Sequence, residues 1–105
     1  MTDPTASASV PTTSASRYLQ QLCKHWSHNL QVAFTPEAGT ITFPKNGFGK
    51  SYPADATVTL RAREDALAVL VRASAPEQLD GVKSAVVSHL DRFAFREAPL
   101  AFDWR

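Results

Sequence analysis

Leu22-Cys-Lys-His-Trp-Ser-His28 places a thiol, two imidazoles, an amine and an indole within seven residues. Two chemistries fit those types: a metal centre built on C-x-H-x-x-H, or a reactive thiol. Helical rotation of about 100° per residue separates them. Cys23 falls among Leu19, Leu22, Trp26 and Leu30, whereas His25 and His28 lie roughly 140–160° away around the same axis. A tetrahedral ion needs every ligand within about 2.3 Å, so a thiolate and imidazoles on opposite sides of a helix cannot share one. No metal is expected here. Cys23 reads as a small buried hydrophobe whose surroundings raise its thiol pKa, and Trp26 reads as core.

The histidines belong to a different pattern. Tyr18, Gln21, His25 and His28 form a stripe along one flank of the first helix, and Gln78, His89, Arg92 and Arg96 form a similar stripe on the second. Two antiparallel helices on one sheet face turn these flanks toward each other; parallel helices turn them apart. In the antiparallel case His25, His28, His89, Arg92 and Arg96 make a candidate anion site. Guanidiniums pair with carboxylate or phosphate in bidentate fashion, and imidazoles add N–H donors. Two alternatives remain open. One is a His25/His28/His89 metal site, which lacks a carboxylate or thiolate ligand and faces two arginines. The other is a structural role, in which the flank groups bond to carbonyls, to Glu97 or to Asp91 and cover the core edge with their stems.

Other constellations are weaker. Arg61, Arg63 and Arg72 could form a basic strip on an open sheet face, but Glu64 and Asp65 lie beside them, and no nucleic-acid partner is expected. "NGFGK" lacks the strand–loop–helix setting of a phosphate loop. No serine sits in a nucleophile elbow, so no catalytic residue and no cofactor is assigned. Leu70, with Ala66 and Ala68, offers a small apolar patch able to pair two subunits.

The elements that position these residues follow from periodicity. Residues 14–29 carry apolar positions at three- and four-residue spacings without interior Gly or Pro, which predicts a helix. Leu30, Val32 and Phe34, then Ile41 and Phe43, alternate about the turn "TPEAG" and predict two strands. "PKNGFGKSYPAD" predicts a loop or irregular edge strand. "TVTLRAR" alternates, and "ALAVLVRA" is apolar on both faces, as an internal strand is. Ser74-Ala-Pro-Glu77 reads as a capping box opening a helix to about 93–95. Leu100, Phe102 and Trp104 predict a closing strand. Residues 1–8, rich in Ser, Thr and Ala, predict a flexible tail, with a short edge strand near Ser9–Pro11 and a single domain over 9–105. The order predicts an α+β two-layer sandwich, an antiparallel sheet with two helices packed on one face.

Bulk properties set limits. The chain has 105 residues, 44% hydrophobic and 20% charged, with a formal charge of +1. That composition suits one folded domain and gives no general pull toward nucleic acid or anionic lipid. One cysteine excludes an internal disulfide and fits a reducing compartment. No apolar run approaches the roughly 20 residues of a membrane span, and "MTDPTASASVPTTSAS" has no secretory features. A cytoplasmic location without membrane contact is the expectation.

"ASRYLQQLCKHWSH" (Ala15–His28), "HLDRFAFRE" (His89–Glu97) and the closing "FDWR" together resemble the DUF2218 domain of bacteria. The resemblance implies an α+β fold similar to the TATA-box-binding-protein or phosphohexomutase C-terminal arrangement. It also implies the company of siderophore-interacting, flavin-dependent ferric reductases. The combined expectation is a binding or accessory protein in siderophore or iron metabolism, acting on an anionic small molecule or a partner protein. A ligand-free homodimerisation module and a small enzyme with His25 or His89 as general base are the competing readings.

Overall fold

The computed structural model describes residues 3–46 and 50–105. Five strands form one antiparallel sheet: β1 (Thr5–Pro11), β2 (Gln31–Phe34), β3 (Ala38–Phe43), β4 (Ala56–Ala62) and β5 (Ala66–Arg72). Their order across the sheet is β1-β5-β4-β3-β2. Two helices, α1 (Ala15–Trp26) and α2 (Pro76–Phe93), pack on one face. The expected α+β two-layer arrangement is present.

Alternation decides which face is covered. Val10, Ile41, Phe43, Val58, Leu60, Leu67, Val69 and Val71 point toward the helices and are buried, while Thr59, Leu70 and Arg72 point away. From the helices, Leu19, Leu22, Cys23, Val82, Val86 and Leu90 complete the core. β5 is internal, as its two-sided apolar sequence predicts, and β4 holds the centre of the sheet.

The direction of the helices follows from the sheet. β1 and β5 are antiparallel neighbours, in register from Thr5↔Arg72 to Pro11↔Ala66. Each runs into a helix on the same face, so the two helices start from opposite ends of the sheet and run antiparallel. Contacts agree: Tyr18 near the start of α1 meets Glu97 beyond the end of α2, and His25 near the end of α1 meets His89.

Three expectations need correction. Residues 5–8 are not a loose tail but the first half of β1, paired to β5 with Ala6 and Ala8 buried. Local composition is poor in apolar surface there, and the partner that orders it lies more than 50 positions away in sequence. The closing strand is absent: Leu100–Arg105 carries no ladder beyond one reciprocal pair between Ser7 and Arg105, N···O 3.0 and 2.8 Å. Leu100 N–H is instead taken by Asp91 Oδ1 at 2.9 Å, which turns the segment back along α2. The capping box is displaced by one residue. Ala75 is the N-cap with Pro76 in the first turn, and Ser74 donates from N and Oγ to Gln78 Oε1, both at 2.6 Å. Of the Gly-rich stretch, residues 47–49 lie outside the described residues.

The two sheet edges differ. On β1 the odd-numbered residues face outward, Pro11 among them with no N–H to offer, and Arg105 covers Ser7. β2 is only four residues long, and Phe34 beside its outer edge is 36% exposed.

Candidate functional site

The polar flanks of α1 and α2 meet. His25 and His89 lie with ring centroids 5.1 Å apart at 48°, Trp26 lies 4.8 Å from His89, and Phe93 sets its ring against His25 at 5.8 Å. The underside of the group is anchored in the core, where Trp26 meets Phe43 edge-on at 5.0 Å. His89 Nδ1 donates to the Ala85 carbonyl at 2.7 Å, one turn earlier in α2. A carbonyl can only accept, so the neutral ring carries its proton on Nδ1 and leaves Nε2 open.

A cleft of about 250 Å³ continues the groove toward the start of α1. Arg17, Tyr18 and Gln21 line one side, and Phe93, Phe95 and Arg96 line the other. Phe93 joins the two regions, as both the wall of the cleft and the neighbour of His25. The Arg96 guanidinium carbon lies 5.7 Å from the Phe95 ring centroid.

The carboxylate beside this groove is already engaged. Glu97 accepts from the Tyr18 hydroxyl and from Thr12 Oγ1, the latter at 3.1 Å to each oxygen. Asp91, on the flank of α2 that carries Lys83 and faces Trp104, accepts from Leu100 N–H. Neither pairs with an arginine; among the described residues the one ion pair is Arg105–Asp103, fully at the surface. Donating to Glu97 raises the Tyr18 pKa above its ordinary range, and burial and the Glu97 charge add to it. Cys23 is fully buried, which pushes its thiol up to about 11. Among the described residues no three His, Cys, Asp or Glu side chains are grouped to hold a metal ion.

The sequence-predicted residues therefore divide. His25 and His89 are brought together, and Arg96 lines the adjoining cleft. Arg92 is exposed on α2, and His28 is exposed in the turn after α1; neither side chain makes a hydrogen bond, ion pair or ring contact. Gln78 leaves the stripe altogether. It is 4% exposed and bonds Ser74 and, through Nε2, the Ala54 carbonyl at 2.9 Å. Arg17 is the residue that the stripe misses. Its four-residue spacing to Gln21 was the available signal, since i and i+4 share a helix face.

The family model described as "Uncharacterized protein conserved in bacteria (DUF2218)" matches residues 7–105. The chain belongs to the DUF2218 family. The matched span includes the whole groove, from Arg17 to Glu97, so the site lies inside the DUF2218 domain. This DUF2218 chain is also similar to the NMR structure of PA4090 from Pseudomonas aeruginosa, at 30% identity and a TM-score of 0.73. That similarity covers 100% of this chain and 96% of the other. No curated protein matches. Among the described residues of the DUF2218 chain, no helix is long and apolar enough to cross a membrane.

Proposed function

We propose that this DUF2218 domain is a binding or accessory protein that holds a small anion, or the anionic end of a larger molecule, between α1 and α2. One observation carries the reading. Arg17 and Arg96 line a single cleft, and the Glu97 carboxylate beside its Tyr18 wall accepts from Tyr18 and Thr12 and forms no ion pair with either guanidinium. Guanidiniums without an ion-pair partner among the described residues, beside Tyr18 and Gln21, supply a fork-shaped donor set matched to carboxylate or phosphate. The exposed His25 ring extends the polar lining one turn further along α1, while His89, whose Nδ1–H is held by the Ala85 carbonyl, serves to position it. At about 250 Å³ the cleft falls below the roughly 300–1,000 Å³ of a drug-sized pocket, which favours a compact anionic group over a whole cofactor.

Carboxylate-bearing ferric siderophores, and the reductases that process them, are the first candidates on the family resemblance. The reading places the protein in the cytoplasm, where its one thiol stays reduced. The test is titration of ¹⁵N-labelled protein with inorganic phosphate, citrate and ferric siderophores. Amide shifts near Arg17, Gln21, His25, His89 and Arg96 are expected, with R17A/R96A abolishing them. If no resonance in that set moves, the ligand reading is wrong.

A further inference from the structure

The uncovered sheet face carries a second arrangement that the groove does not use. Register places its outward side chains in rows across β4, β5 and β1: Arg61–Ala68–Ser9, Thr59–Leu70–Ser7 and Thr57–Arg72–Thr5. Arg61 and Arg72 therefore stand at diagonal corners with Leu70 between them. Leu70 is 45% exposed, and the small Ala68 beside it leaves an open groove of about 660 Å³. No carboxylate occurs in these rows. Glu64 and Asp65, in the β4–β5 turn, make no ion pair with Arg61, Arg63 or Arg72. All five of these charged side chains are exposed.

We propose that this face docks an acidic polypeptide segment in extended form, with Arg61 and Arg72 gripping carboxylates on either side of an apolar residue seated on Leu70. Spacing supports that occupant. The two arginines are four residues apart along the strands and one strand apart across them, about 14 Å between Cα atoms at about 3.4 Å per residue and about 4.8 Å per strand. Acid-x-apolar-x-acid in an extended chain spans the same distance, with all three side chains on one face. A second copy fits less well, because a two-fold interface would set Arg61, Arg63 and Arg72 against their own kind. Single-stranded nucleic acid also fits less well, since these rows hold no aromatic ring on which a base could stack. This face lies on the opposite side of the sheet from the anion groove, and the proposal stands independently of it.

The experiment is fluorescence anisotropy with a labelled Gly-Ser-Asp-Ser-Leu-Ser-Asp-Ser-Gly peptide, at low and at physiological salt. Saturable binding that weakens with salt is expected. R61S/R72S should weaken it at least tenfold, L70S at least threefold, and R17A/R96A not at all. All these side chains are exposed, and circular dichroism checks that each variant remains folded. Absence of binding at millimolar peptide, or equal binding by R61S/R72S, overturns the proposal. So does a single-stranded oligonucleotide that displaces the peptide and binds more tightly. A dimer that L70S dissolves, seen by sedimentation, also overturns it by assigning the face to a second copy.

Discussion

The Tyr18 hydroxyl donates to Glu97 Oε2, joining α1 to the turn beyond α2 across 79 positions of sequence. Thr12 donates to the same carboxylate, so three separate segments converge on one acid. Tyr18→Phe removes a charge-assisted bond that is only part-buried and should cost about 1 kcal/mol, read as a lower urea midpoint. The pH dependence has a definite sign. Tyr18 is held above its ordinary 10.0 in the native state, chiefly by donating to Glu97. Its contribution is therefore intact below pH 10 and is lost as pH rises through the folded value. In Y18F the decline of stability above pH 10 should be shallower than in the wild type.

Cys23 acts in the same direction at lower pH. Burial raises its thiol from 9.0 to about 11, so the native state retains a proton that the unfolded chain releases. Its stabilising contribution is complete below pH 9 and disappears as pH climbs through about 11. Cys23→Ala should flatten the urea midpoint between those values. Native protein at pH 8 should react with iodoacetamide only as fast as it opens, which rapid-quench mass spectrometry measures.

Gly39 is needed because α1 sits so close to β3. A Cβ at this position would lie 2.7 Å from Cys23 Sγ and 3.1 Å from Phe34 Cβ. Gly39→Ala should destabilise by about 1–3 kcal/mol through overpacking. In a Cys23→Ala background the same change should cost less, since its nearest obstacle is gone. A double-mutant cycle in urea would measure that coupling.

Gln78 ties the β3–β4 connection to the start of α2. Its side chain accepts from Ser74 N and donates to the Ala54 carbonyl. Gln78→Ala leaves those groups to find other partners and should cost about 1–3 kcal/mol. Amide exchange should accelerate at Ser74 and Ala54 before it does so in β4.

Periodicity made both helices and the β2–β3 and β4–β5 hairpins legible, because each rests on contacts close in sequence. β1 was only partly visible, since Ala6 and Ala8 carry little apolar signal and depend on a distant β5. That same pairing sets the helices antiparallel, the condition on which the whole groove depends. The His25–His89 meeting was foreseeable from helical flanks, and Arg17 from its four-residue spacing to Gln21, whereas the engagement of Glu97 by Tyr18 was not. That contact depends on the turn after α2, where helical rotation no longer predicts direction. The alternation of Leu100, Phe102 and Trp104 suggested a ladder, but their side chains pack onto the core from a segment that forms almost none.

The unequal rims of the sheet limit how molecules could join end to end. With a proline and the Arg105 bond interrupting β1, β2 is, among the described residues, the rim that offers an unbroken row of main-chain groups to another copy. Joining through that single rim consumes it on both partners. Such growth closes at a pair and cannot propagate into a fibre.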